Sequence, residues 1–315
     1  MWSRLIGIWA LAALPLSGSA LAAPIDYDAA APFGAEVRVE ARTYRYTLYE
    51  VRFPSPVKSP FPPDDTVWGH LYVPRPPGGR AGRPPPCVLV LPVMAAPTVW
   101  IEKRFVHAFL RDGMAAMWLE MPYQFHRRPG PHMASGQAFL ARTPARLAGN
   151  FRQSVLDARR ALSWLEGSGL VDGDRLGMFG ISLGAMVGST VLSVDPRPRG
   201  GVFLLGGADF PGLIMRGSMT SRFVRRAGMR EEVMRAAMKG LDPLDYKDSN
   251  AGRRVVLINA RQDTVVPPEN ALRLKEAFPS AAQVWVPFGH YTAILHLIWV
   301  PDYAAWKMRG IIGGD

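Results

Sequence analysis

Short apolar runs alternate with helix-like stretches through most of the chain after residue 86. The runs typical of buried strands are CVLVLPV at 87–93, MAAMWLEMP at 114–122, RLGMFG at 175–180, GGVFLLGG at 200–207, RRVVLINA at 253–260 and QVWVPF at 283–288. Between them, apolar residues recur at helical spacing, as in FRQSVLDARRALSWLEGSG at 151–169. Apolar strands separated by helices indicate a mostly parallel sheet that is covered by helices on both faces.

The N-terminal part has a different pattern. EVRVEARTYRYTLYEVRF at 36–53 is rich in Val, Thr and Tyr and predicts one or two strands, and TVWGHLYVP at 66–74 predicts another. No helical stretch separates these strands, so we expect the sheet to begin antiparallel. The predicted fold class is therefore α/β, with a mixed sheet of about eight strands.

Residues 209–250 interrupt this alternation with helical and loop sequence. Five methionines lie in this insertion among eight basic residues, namely Met215, Met219, Met229, Met234 and Met238. One interpretation is a mobile lid over a pocket, because methionine side chains adapt to varied surfaces. The other is a helical cap that is packed permanently on the core. Both predict that this segment covers the rest of the domain.

In the first 22 residues, a basic residue, an apolar run and small residues follow one another as they do in a secretory signal peptide. Arg4 precedes the apolar run LIGIWALAALPL at 5–16, and small residues end at Ala22. We expect cleavage before Ala23 and a periplasmic or secreted protein whose single α/β domain spans 23–315. An N-terminal membrane anchor is the alternative, but the run is shorter than a bilayer span and contains Pro15.

Composition excludes several classes of protein. Cys87 is the only cysteine, so an internal disulfide is impossible, and no Cys/His spacing predicts a metal site. The formal net charge is +11. The arginines that carry most of this charge are dispersed along the chain and accompany no nucleic-acid motif, so we expect no nucleic-acid partner. Contact with an anionic membrane surface stays open as a use for this charge.

The pentapeptide GISLG at 180–184 follows a predicted strand and precedes a helical stretch. This is the context of a nucleophile elbow, in which Ser182 would occupy a tight turn between small neighbours. A catalytic triad then needs an acid and a histidine after later strands. Asp263 follows the strand at 253–260, and His290 follows the strand at 283–288.

Each of these two residues has rivals. Asp209 follows the strand at 200–207, and Glu269 lies near Asp263 at the start of a helical stretch. His296 follows His290 in a stretch whose apolar residues recur at helical spacing, which indicates that His296 faces a packed interior. The other four histidines precede the serine and do not fit the order. The loop positions favour Ser182, Asp263 and His290.

From residue 36 to its end, the chain resembles the α/β-hydrolase superfamily, and loosely its dienelactone-hydrolase and esterase branches. DGDRLGMFGISLG, ARQDTVVPPE and FGHYT are similar to its nucleophile, acid and histidine blocks. The resemblance implies an oxyanion hole built from backbone N–H groups, here those of Leu183 and Met94. LPVMAAP at 91–97 stands where members often carry a His-Gly pair, and Ala185 stands where glycine is frequent.

The resemblance implies a serine hydrolase that works through an acyl-enzyme and needs no cofactor. A carboxylic ester of a small molecule or lipid is the preferred substrate. A peptidase or an acyltransferase would use the same triad and differ in the pocket or in the acceptor. A non-catalytic binding protein on the same fold is the alternative from another class, and the altered loop at 91–97 is the feature that favours it.

Overall fold

A computed structural model describes residues 25–75, 82–95 and 97–313 of the chain. The predicted signal peptide, residues 1–22, lies outside these residues and stays a prediction. The described strands are β1 (Glu36–Arg42), β2 (Tyr46–Pro54), β3 (Thr66–Pro74), β4 (Cys87–Leu91), β5 (Ala115–Leu119), β6 (Leu176–Ile181), β7 (Pro198–Leu204), β8 (Arg254–Ala260) and β9 (Ala282–Val286). The α-helices are α1 (Trp100–Arg111), α2 (Pro144–Gly167), α3 (Leu183–Val194), α4 (Phe210–Arg216), α5 (Ser221–Arg226), α6 (Glu231–Met238), α7 (Pro268–Ala277) and α8 (Val300–Ile312).

All nine described strands belong to one sheet, in the order β1-β2-β3-β5-β4-β6-β7-β8-β9. The pairs β1/β2, β2/β3 and β3/β5 are antiparallel, and every other pair is parallel. The predicted mostly parallel mixed sheet is confirmed, with nine strands where about eight were expected. The segment 36–53 contributes two strands because Thr43 Oγ1 accepts the N–H of Tyr46 at 3.0 Å and closes a turn.

The two faces of the sheet carry separate apolar cores. Helices α2, α3 and α7 cover one face together with α4 to α6, and helices α1 and α8 cover the other. Every residue of β4, β5 and β6 is buried, as expected for parallel strands that are covered on both sides. This arrangement fixes the carboxyl ends of the strands, where the candidate site lies.

Helix α2 begins at Pro144, seven residues before the predicted helical stretch at 151. Thr143 is the N-cap, and its side chain accepts the N–H of Arg146. Pro144 fits the first helical position. This cap signal accounts for the longer helix.

The predicted cap insertion forms helices α4, α5 and α6 between β7 and β8. The side chains of Met229, Met234 and Met238 are buried in the core, whereas Met219 is exposed. The carboxylate of Asp242 closes the segment by accepting the N–H of Phe210 at 2.6 Å. Burial raises the pKa of Asp242 to about 6. In this structure the segment therefore packs on the core through three of its methionines. No helix in the described ranges is both long and apolar enough to cross a membrane.

Candidate active site

Ser182 lies in the tight turn between β6 and α3. Its backbone has φ 54° and ψ −113°, a region that side-chain-bearing residues rarely occupy. Its N–H donates to the carbonyl of Leu204 on β7 at 2.8 Å, and its own carbonyl accepts the N–H of Met186 at 3.0 Å. The serine therefore stands at the carboxyl edge of the sheet in a conformation that two neighbouring elements hold.

Glycines on either side of the serine permit this turn. A Cβ atom on Gly180 would overlap the backbone of Gly184, and one on Gly184 would overlap the carbonyl of Leu91 at the end of β4. The turn therefore requires residues without side chains at both positions. The close approach at Gly184 also brings the loop after β4 against the elbow.

His290 connects the serine to a carboxylate. Its Nε2 atom lies 3.0 Å from Ser182 Oγ, and its Nδ1 atom lies 2.7 Å from Asp263 Oδ2. The tautomer that fits both contacts donates Nδ1–H to the carboxylate and leaves Nε2 free to accept the serine proton. These three side chains, which come from three different strand ends, thus form one hydrogen-bonded chain.

Asp263 is buried, and a turn of its own loop holds it. Its Oδ1 atom accepts the N–H groups of Val265 at 2.9 Å and Val266 at 2.8 Å, which leaves Oδ2 for the histidine. The N–H of Gln262 donates to the carbonyl of Phe288 at 3.0 Å and so joins the acid loop to the histidine loop. The pair is therefore positioned by hydrogen bonds between two loops.

The rival residues lie in other surroundings. Asp209 binds Arg216 at 3.0 Å and Arg235 at 2.9 Å, so ion pairs occupy both of its oxygens. Glu269 is exposed in the first turn of α7. The ring of His296 is half-buried and its Nδ1 accepts the indole N–H of Trp299 at 3.1 Å, in a helical turn that buries none of its residues. The interior position expected for His296 is thus only partly observed.

The two predicted oxyanion donors lie on segments that touch each other. Leu183 is the first residue of α3, where a backbone N–H has no partner within its helix. Met94 follows the end of β4, which contacts the elbow at Gly184. Within the described residues, neither N–H donates to a backbone acceptor outside regular helices and strands. Both therefore stay candidates for the oxyanion hole.

Two side chains that the sequence analysis did not select hold the peptide groups before Met94. Glu102 Oε1 accepts the N–H of Val93 at 3.0 Å, and Gln124 Nε2 donates to the carbonyl of Val93 at 2.7 Å. Both side chains are buried. They clamp Val93 from two sides and thereby set the direction of the adjacent Met94 N–H.

Glu102 is unusual because it lies on the apolar face of α1. Its Oε2 atom is buried without a hydrogen-bond partner among the described residues. Burial raises the pKa of this carboxyl, and the hydrogen bond from Val93 opposes that shift only in part. The sequence could have indicated this position, because Glu102 is an acidic residue in the helical stripe that continues with Phe105, Val106 and Phe109.

Candidate metal ligands are not clustered in the described part of the chain. In residues 25–75, 82–95 and 97–313, no group of three or more His, Cys, Asp or Glu side chains is placed to hold one. The polar groups of the candidate site are a hydroxyl, an imidazole, a carboxylate and backbone N–H groups, a combination that is suited to nucleophilic attack on a carbonyl.

Comparison with known proteins gives a family. The family described as "Alpha/beta hydrolase domain containing 18" matches residues 31–223, which is more than half of the chain. The matched range includes Ser182 and both predicted oxyanion donors, whereas Asp263 and His290 follow it. A search of curated proteins finds no match.

Solved structures of similar fold include esterases and a peptidase. The acetyl xylan esterase from Paenibacillus sp. R4 superposes with a TM-score of 0.65 at 15% identity, over 87% of this chain and 90% of that one. Acetyl xylan esterase 1 from Thermoanaerobacterium sp. JW/SL YS485 gives 0.65 at 14% identity, over 88% and 90%. A puromycin-hydrolyzing peptidase from Mycobacterium tuberculosis gives 0.60 at 18% identity, over 79% of this chain and 38% of that one. At these identities the likeness shows the shared fold.

Proposed function

Because the chain belongs to the alpha/beta hydrolase domain containing 18 family, we propose that it is a serine hydrolase that cleaves carboxylic esters. The observation that carries the proposal is the hydrogen-bonded chain from Ser182 Oγ through His290 to Asp263, with distances of 3.0 Å and 2.7 Å. A hydroxyl paired with an imidazole, whose other nitrogen is held by a buried carboxylate, is the arrangement that activates a serine.

In the proposed mechanism, His290 takes the proton of Ser182 through Nε2 while the serine oxygen attacks the carbonyl carbon. Asp263 holds the imidazole by its Nδ1–H and stabilises the positive charge that develops on the ring. The imidazolium then gives its proton to the departing alcohol, which leaves an acyl-enzyme on Ser182. Water enters, loses a proton to His290 and releases the carboxylic acid, so that the free serine is restored.

The negative oxygen of the tetrahedral intermediates is stabilised by backbone N–H groups. We assign this role to Leu183, at the start of α3, and to Met94, in the loop that Glu102 and Gln124 hold. Loss of one such donor commonly costs about 3 kcal/mol of transition-state stabilisation. A side-chain donor from a His-Gly pair is not needed for this arrangement, because backbone N–H groups perform the task.

An ester is preferred over a peptide as substrate. Two of the similar structures are named acetyl xylan esterases, and the match covers 90% of each of their chains. The match to the named peptidase covers 38% of that chain. These matches support a small-molecule ester. A peptidase or an acyltransferase would carry the same triad, so substrate tests must separate the three.

The decisive experiment uses a fluorophosphonate probe, which reacts with activated serines, followed by mapping of the labelled residue by mass spectrometry. We expect labelling at Ser182, none in Ser182→Ala and much slower labelling in His290→Ala. Ser189, buried on the same helix, provides a matched control because Ser189→Ala removes a serine outside the triad and should leave labelling intact.

Substrate panels then distinguish the reactions. Ester hydrolysis with no cleavage of matched anilides would support the proposal, and faster cleavage of anilides would replace it with a peptidase. Transfer of the acyl group to an added alcohol in preference to water would indicate an acyltransferase. A folded protein that neither labels nor turns over esters would favour the binding-protein alternative.

A further inference from the structure

The segment that follows His290 is apolar, and most of its residues are exposed. Residues Thr292–Ile298 form a 3-10 helix of sequence TAILHLI in which no residue is buried. Leu295 is 60% exposed and Ile298 is 82% exposed. Apolar side chains at a helix normally pack against a core, so an exposed run of this kind marks a surface for a partner.

Aromatic residues extend this surface onto α8. The rings of Trp299 and Tyr303 lie 5.9 Å apart, and those of Tyr303 and Trp306 lie 5.8 Å apart. Tyr291, next to the candidate catalytic histidine, is 71% exposed. The apolar surface therefore comprises Tyr291, Leu295, Ile298, Trp299 and Trp306, and it begins at the candidate active site.

Cations border the apolar surface. Arg104 and Arg111 on α1 line the same groove as Ile298, and Lys103 is exposed on the same helix. The Nζ atom of Lys307 lies 4.2 Å from the ring centroid of Trp306. Asp302 is an acidic residue in this region, and Arg111 forms an ion pair with it. The border is therefore basic, in agreement with the net charge of +11.

We propose that this surface docks on an anionic lipid bilayer. Trp and Tyr prefer the interface between headgroups and acyl chains, because their rings have an apolar body and a polar end. Leu295 and Ile298 would enter the acyl region, while the basic border would lie among anionic headgroups. In a two-fold contact with a second copy, the same basic surface would face itself, which makes a lipid partner the better electrostatic match.

The inference goes beyond the proposed function and does not depend on it, since binding is measured in the absence of catalysis. The protein is the predicted mature chain, residues 23–315, which retains every described residue and lacks the apolar run at 5–16 that would itself bind lipid. Carrying Ser182→Ala, it is sedimented with vesicles of phosphatidylcholine alone or of phosphatidylcholine mixed with phosphatidylglycerol. We expect binding to the mixed vesicles that weakens as salt is raised.

The double variant Leu295→Ser/Ile298→Ser should lower the partition coefficient roughly tenfold or more, because it removes the inserted aliphatic groups. Arg104→Ala should lower it about fivefold on the mixed vesicles only. The matched control is Leu272→Ser, which changes a leucine that is 53% exposed on α7, a helix on the other face of the sheet. It should bind as the parent does. Circular dichroism and melting temperature establish that each variant is folded.

Absence of binding to the mixed vesicles would overturn the proposal, as would equal binding by the double variant and the control. A parent protein that is dimeric, becomes monomeric in the double variant and ignores both kinds of vesicle would assign the surface to a second copy and overturn it as well. The fluorophosphonate experiment on unmodified Ser182 is independent of these results, so failure of docking and failure of the proposed chemistry are distinguishable.

Discussion

The serine side and the histidine side of the candidate site are held in different ways. Ser182 enters α3, in which every residue from Leu183 to Ser193 is buried, and its neighbouring glycines touch backbone atoms. His290 precedes a helical turn that buries none of its residues, and its ring is held by Asp263. Core packing thus sets the position of the candidate nucleophile, whereas a few hydrogen bonds between loops set the position of the candidate base.

Asp263→Asn tests the histidine side and should cause a greater loss than the other variants. Asp263→Asn keeps an oxygen for the N–H groups of Val265 and Val266, but it presents an NH₂ group to His290 Nδ1. The imidazole would then adopt the wrong tautomer for accepting the serine proton, and we expect kcat to fall about 10⁴-fold. Ester hydrolysis measures this loss. A melting temperature close to that of the parent would show that the histidine side contributes to chemistry more than to stability.

The next effect tests the serine side with a single methyl group. Gly184→Ala would drive a Cβ into the Leu91 carbonyl, and we expect a loss of about 3 kcal/mol or more in the free energy of unfolding. Gly289→Ala makes the same change on the histidine side, where the Cβ would meet Gln262 O at 2.9 Å. Denaturant titration should give a smaller loss there. Equal losses would contradict the difference between the two sides.

A matched control for both glycine variants is Gly149→Ala in α2. A Cβ at that position has no atom within 4 Å, so only backbone entropy changes. We expect a gain of up to about 1 kcal/mol, the difference in helix propensity between glycine and alanine. A loss in the free energy of unfolding for Gly149→Ala would mean that the losses in the other two glycine variants do not come from the contacts of the added Cβ alone.

The third effect concerns the oxyanion loop on the serine side. Glu102→Leu removes the acceptor of the Val93 N–H, and we expect the loop to lose the fixed direction of the Met94 N–H. The kcat should fall about 10²-fold with little change in KM, the scale of one weakened oxyanion donor. Glu102→Gln keeps an acceptor oxygen and should retain most of the activity. Equal kcat values for the two variants would remove Glu102 from this role.

The sequence predicted most of the sheet because its strands are apolar on both faces and separated by clear helical stretches. It also selected Ser182, Asp263 and His290 as candidates, since each follows a strand in the chain order of a triad, and the structure brings these side chains together. Glu102 and Gln124 could not be assigned in the same way. Their importance depends on contacts with Val93 across the fold, and no local pattern specifies which peptide group a buried side chain will meet.

The exposure of residues 292–298 was also not predicted. The pattern HYTAILHLIW has apolar residues at helical spacing, which normally indicates a packed face. In the structure this segment lies at the carboxyl edge of the sheet, where none of its residues is buried. Periodicity identifies which side chains prefer to leave water, but whether the fold or a partner covers them depends on the whole chain.

On the serine side, Glu102 should also make the free energy of unfolding depend on pH, and this change is smaller than the others. Burial raises the pKa of Glu102 above its unfolded value, so the folded state keeps a proton that the unfolded state releases. The protonated carboxyl of Glu102 makes its full contribution to the free energy of unfolding below the unfolded pKa, about 4.3. This contribution is lost as pH rises through the folded pKa. Glu102→Gln is neutral throughout and lacks this term. The stability of the parent relative to Glu102→Gln should therefore decrease from pH 4 to pH 8, by about 1.4 kcal/mol for each unit by which the pKa is raised. Parallel stability curves for the two proteins would mean that Glu102 is ionised in the fold, and the Val93 N–H would then be bound by a charged carboxylate.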